Sequence, residues 1–67
     1  MRTNLLGFVR NFSHRKNWGG IWKLDGEYLN NDQARTFVMR ALSEGYVYDE
    51  DVPEELVREW LGLQPKK

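Results

Sequence analysis

The chain has no cysteine, a single histidine, and no acidic residue before Asp25. Without cysteine no disulfide can staple the fold, and no thiolate can hold a metal. The lone histidine, His14, follows Ser13 directly. Neighbouring side chains on a loop do not make a nucleophile–base pair unless a third group orients the base. Long apolar runs are missing too. Leu5, Leu6, Phe8 and Val9 form a cluster that Gly7 interrupts and Arg10 closes, too short for a signal core or a membrane span. Asn11-Phe12-Ser13 matches a glycosylation sequon, which is idle without export. Gly19-Gly20 lacks the further glycine and the Lys-Ser/Thr of a phosphate loop, and the acidic run from Asp49 to Glu55 lacks the pattern of a calcium loop. No catalytic residue, metal site or cofactor is therefore expected. The chain reads as soluble and cytoplasmic, with no membrane partner.

What it does have is aromatic rings: three Trp, three Tyr and three Phe in 67 residues. That length allows one domain, expected over 1–63 with a polar tail over 64–67. A core so small must take most of its stability from large side chains, since each aromatic can bury roughly 150–250 Å².

Periodicity orders the elements. Leu5, Leu6, Phe8, Val9 and Phe12 recur at helical spacing, with Thr3 or Asn4 as cap and Ser13 as the far limit. A strand with Leu6, Phe8 and Phe12 on one face competes, although Arg10 would break that face. His14 to Gly20 reads as loop. Asp25-Gly26 between Ile21–Leu24 and Glu27–Leu29 predicts a two-residue hairpin turn with positive φ at both central positions, placing Trp22 near Leu29.

Asn31 is the expected cap of a second helix whose apolar stripe is Ala34, Phe37, Val38, Ala41 and Leu42. Arg40 and Glu44 are set one turn apart on its outer face. Gly45 is expected as a left-handed cap closed by Val47. Residues 46–48 are candidates for a short third strand beside the hairpin. Pro53 reads as the first residue of a last helix with the stripe Leu56, Val57, Trp60 and Leu61, ended by Gly62. The expected fold class is α+β and mostly helical, in the order helix–hairpin–helix–helix.

Charge divides the chain. Residues 1–24 carry five cations, Arg2, Arg10, Arg15, Lys16 and Lys23, and no acid; residues 25–67 carry all ten acids and the other five cations. A formal zero thus hides +5 against −5. Either the two halves pair internally, or each sign makes a face.

The expected function is a non-enzymatic, accessory or regulatory protein-interaction domain. Its expected contacts are Trp18, Tyr46 and Tyr48 as aromatic anchors and Asp49, Glu50 and Asp51 as acidic partners, because interfaces favour exposed Trp, Tyr and Arg. A second copy of the chain is admitted as the partner. The alternative is a nucleic-acid-binding regulator that uses Arg15, Lys16 and Lys23 on phosphates and an exposed Trp18 to stack a base. A pI near 6.6 speaks against a dedicated DNA binder.

Overall fold

A computed structural model describes residues 2–64, and the tail positions 65–67 lie outside the described residues. The order is helix α1 (Leu5–Phe12), strands β1 (Lys23–Leu24) and β2 (Glu27–Tyr28), helix α2 (Asn31–Ser43), a 3₁₀ turn over Asp49–Asp51, and helix α3 (Glu54–Leu61). This is the α+β arrangement of helix, hairpin, helix, helix that the sequence predicts. The α2 helix packs on both α1 and α3.

The first helix wins over the competing strand because Asn4 caps it, its side chain accepting the Gly7 N–H at 2.9 Å. Leu5 and Phe8 then face inward, while Leu6 stays exposed. The hairpin forms in the predicted register, Lys23 opposite Tyr28 and Leu24 opposite Glu27. Asp25 (φ 55°) and Gly26 (φ 80°) both take the left-handed region, as a two-residue turn with matching twist requires. Beyond the strands, Leu29 N–H donates to the Trp22 carbonyl at 2.8 Å.

The α2 start is displaced by one residue from its predicted place. Asn30, not Asn31, is the cap, and it forms a capping box with Gln33. Asn31 is helical, and its side chain accepts the Trp18 backbone N–H at 2.8 Å. At the other end Gly45 is left-handed (φ 93°). Its N–H donates to the Leu42 carbonyl, and Tyr46 N–H donates to the Ala41 carbonyl. That two-bond pattern makes Tyr46 the residue that folds back onto the helix. Val47 does not close the cap and is 51% exposed.

Residues 46–48 do not extend the hairpin. Tyr48 instead forms an isolated antiparallel bridge with Asn4, flanked by Leu5 N–H on the Val47 carbonyl and Asp49 N–H on the Thr3 carbonyl. Pro53 sits just outside α3 with extended backbone, and Gly62 ends the helix with φ 70°.

The core is one cluster. Phe8 is its hub, with ring centroids 5.0 Å from Trp18 and 4.9 Å from Trp22, and Trp22 continues to Phe37 at 5.6 Å. All three contacts are edge-to-face, the geometry that aromatic quadrupoles favour.

Candidate functional site

The basic loop is tied to α2 through Arg35. The Arg35 guanidinium on α2 donates to the backbone carbonyls of Arg15 (3.1 Å) and Lys16 (3.3 Å). The same guanidinium lies 4.5 Å from the Trp18 ring centroid. Trp18 is therefore not the exposed anchor expected from its loop position: it is 3% exposed. Its backbone N–H is bonded to Asn31, and its indole N–H reaches the Phe12 carbonyl at 3.2 Å. Covered by Arg35 and packed on Phe8, the ring has no free face for a base or a partner. Arg15 and Lys16 keep exposed side chains.

Of the expected contact residues in 46–51, Asp49 is buried and Tyr46 and Tyr48 are half-buried. Tyr46 is half-buried, its ring 6.2 Å from that of Trp60. Arg40 turns the same way, its guanidinium 5.8 Å from the Trp60 ring. Tyr48 is half-buried beneath the Arg2 guanidinium, 4.1 Å from the ring centroid. Asp49 is 8% exposed. Its carboxylate accepts the Trp22 indole N–H at 2.7 Å and the backbone N–H groups of Thr3 and Glu50, each at 2.8 Å. It is a structural carboxylate with three donors. Glu50 and Asp51 remain exposed.

Among the described residues, ion pairs between the two charge halves are few. Among the described residues, Arg2 is the sole cation of the first 24 with an ion pair, to Glu50 at 3.6 Å. Such an exposed pair is worth about 0–1 kcal/mol. Lys23 goes to an aromatic instead, its ammonium 4.9 Å from the Tyr28 ring centroid.

Between the hairpin and the start of α3 lies an open groove of about 410 Å³. The hairpin contributes Ile21, Lys23, Leu24 and Tyr28; the opposite side contributes Asp49, Glu50, Val52 and Glu54. Buried Trp22, Phe37 and Val57 lie beneath. The groove thus gathers Lys23, Asp49 and Glu50, which were singled out in sequence for different roles. It adds Tyr28, which was not, and Glu54, which the sequence offered only within the acidic stretch from Asp49 to Glu55. Tyr28 is the exposed aromatic of this surface, at 58%. One sequence signal could have found it. In a two-residue hairpin turning at Asp25-Gly26, Lys23 and Tyr28 share the face opposite buried Trp22 and Leu29.

Arg58 was also missed. It is 9% exposed and binds Asp25 at the hairpin turn, Glu54 one turn earlier at 3.4 Å, and the Gln64 carbonyl at 3.1 Å. It ties the hairpin tip to α3. No family model matches this chain, and no curated protein or solved structure matches it either. Among the described residues no helix is long and apolar enough to cross a membrane.

Proposed function

We propose that this chain is a small non-enzymatic protein-interaction domain working in the cytoplasm, with the hairpin–α3 groove as its docking surface. The groove itself carries the reading: exposed Tyr28 and half-buried Ile21 and Leu24 face the carboxylates of Glu50 and Glu54 across about 410 Å³. An apolar strip with a charged rim is the make-up of a partner-binding patch. Of the aromatic anchors expected from sequence, Trp18 gives up its role to Tyr28, and Tyr46 and Tyr48 become supports of the 46–51 segment. A photo-crosslinking residue at Tyr28, tested in the cell of origin, should capture a protein. The same residue at exposed Met39 on α2 should not. Capture at both positions, or at neither, would remove the groove as the docking surface.

The nucleic-acid reading keeps one favourable observation, the pair of exposed cations Arg15 and Lys16 on a loop pinned by Arg35. It loses the stacking ring, since Trp18 is buried. It therefore ranks second.

A further inference from the structure

The groove already holds a cation of its own. Lys23 and Tyr28 are cross-strand partners. The ammonium 4.9 Å from the ring centroid lies within the range where an aromatic face attracts it. Three carboxylates line the groove, Asp49, Glu50 and Glu54; that of Asp49 is buried and taken up by three N–H donors, which leaves Glu50 and Glu54 as the exposed ones. These two meet guanidinium groups at their outer edges, Glu50 with Arg2 at 3.6 Å and Glu54 with Arg58 at 3.4 Å. Both carboxylates keep more than 40% of their side-chain surface in solvent (48% and 42%). The Arg2–Glu50 pair, exposed on both sides (61% and 48%), exchanges one cation for another at little cost, whereas Glu54 is held by Arg58, which is 11% exposed. The groove is in this respect acidic, aromatic and apolar at once.

We infer that the groove accepts a partner segment carrying a lysine or arginine beside a branched apolar residue, and that Lys23 fills the cation position while the segment is absent. The inference rests on the interaction-domain reading above and specifies the occupant of that same surface. The partner's cation lies over Tyr28 and near Glu50. Its apolar neighbour covers Ile21, Leu24 and Val52. Lys23 is exposed, so it can swing into water when displaced, keeping its charge solvated. Charge complementarity decides the sign of the partner: an acidic segment would meet the carboxylates head-on, and like charges at close range are a means of rejecting wrong partners.

The test uses the isotopically labelled full chain in solution, titrated with two capped hexapeptides of alternating leucine–lysine and leucine–glutamate. The leucine–lysine peptide should shift the Trp22 indole N–H and the Tyr28 and Glu50 amides, and the leucine–glutamate peptide should not. Lys23→Ala should tighten binding by about two- to fivefold, because it removes a resident competitor held by one exposed cation–π contact. Tyr28→Ala and Glu50→Gln should each weaken binding by a similar factor while the thermal transition stays in place. A mere loosening of the hairpin would weaken binding in all three variants, so the opposite sign for Lys23→Ala is the distinguishing readout. The inference is overturned by the absence of shifts at about 5 mM peptide, a concentration that reveals even millimolar binding. Equal response to the acidic peptide, shifts centred on residues 14–16, or weaker binding by Lys23→Ala would overturn it as well. A crosslinked protein at Tyr28 without a basic segment at the contact would sink this inference and leave the interaction reading intact; no captured protein at all would sink the reading itself.

Discussion

The indole N–H of Trp22 donates to the carboxylate of Asp49 at 2.7 Å, and both groups are buried. This bond joins the hairpin to the 3₁₀ turn before α3. Through the other oxygen of the same carboxylate, the Thr3 N–H at 2.8 Å ties in the chain's start. One side chain thus fixes three parts of the chain that lie far apart in sequence.

Removing that carboxylate should be costly. Asp49→Ala strands the Trp22, Thr3 and Glu50 donors. A hydrogen bond to a charged group is worth about 1.5–3 kcal/mol, and water can replace the carboxylate at the part-buried Thr3 and Glu50 donors, so a loss of about 3–5 kcal/mol is expected. Trp22→Phe keeps most of the packing and removes one donor, so about 1–3 kcal/mol is expected. Urea denaturation of the two single variants and the double variant checks this. Strictly additive losses would show that the bond contributes nothing of its own.

The Arg58–Asp25 contact allows a cleaner comparison. Asp25→Asn preserves the turn, because Asn also tolerates the left-handed backbone, and removes only the charge. The Asp25 side chain is 43% exposed, so screening limits the loss to about 1 kcal/mol or less. Arg58→Ala removes a side chain that is 11% exposed, with its stem packing and its bond to the Gln64 carbonyl. About 2–3 kcal/mol is expected, by the usual size of such losses. Equal melting temperatures for the two variants would mean that Arg58 acts only through Asp25.

Phe37 tests the packing of α2 against the rest of the core. It is buried, and its ring meets Trp22 edge-to-face at 5.6 Å. Phe37→Ala should cost about 3–5 kcal/mol, enough to unfold much of a domain this small at 37 °C. A melting temperature within a few degrees of the parent chain would show that the site collapses without penalty.

The basic loop has its own check. With Trp18 buried, only Arg15, Lys16 and Lys23 remain of the residues expected to touch nucleic acid. Three phosphate contacts give a slope of log K against log salt no steeper than roughly −2.7 on duplex DNA, at roughly −0.9 per contact. No micromolar complex is therefore expected at physiological salt. Fluorescence anisotropy with duplex and single-stranded oligonucleotides decides. Micromolar binding that Arg15→Glu/Lys16→Glu abolishes would move nucleic acid to first place.

Gly19 shows why some of this was not legible in advance. A Cβ there would sit 3.0 Å from the Asn31 backbone nitrogen and 3.2 Å from the Asn30 carbonyl carbon. In sequence Gly19-Gly20 reads only as a loop marker. In the fold, Gly19 is where the loop passes against the start of α2, an approach that depends on residues twelve positions further along.

The sequence by itself determined the three helices, the hairpin and their order. Apolar stripes at helical spacing, an Asp-Gly turn and the glycine caps act within a few residues, so they can be read locally. The cap of α1 and the left-handed residues Asp25, Gly26, Gly45 and Gly62 belong to this class. Only the tertiary structure decided which polar and aromatic groups were spent inside. Trp18, Asp49 and Arg58 look like surface residues in a linear reading, because loops and charges usually face water. Each is drawn inward by partners distant in the chain: Arg35 and Phe8, Trp22 and Thr3, and Asp25. The groove is a product of the same packing. Burying Trp22 against Phe8 and Phe37 turns Lys23 and Tyr28 outward by the two-residue period of a strand, and the Trp22–Asp49 bond brings the segment of Glu50 and Glu54 to the same groove.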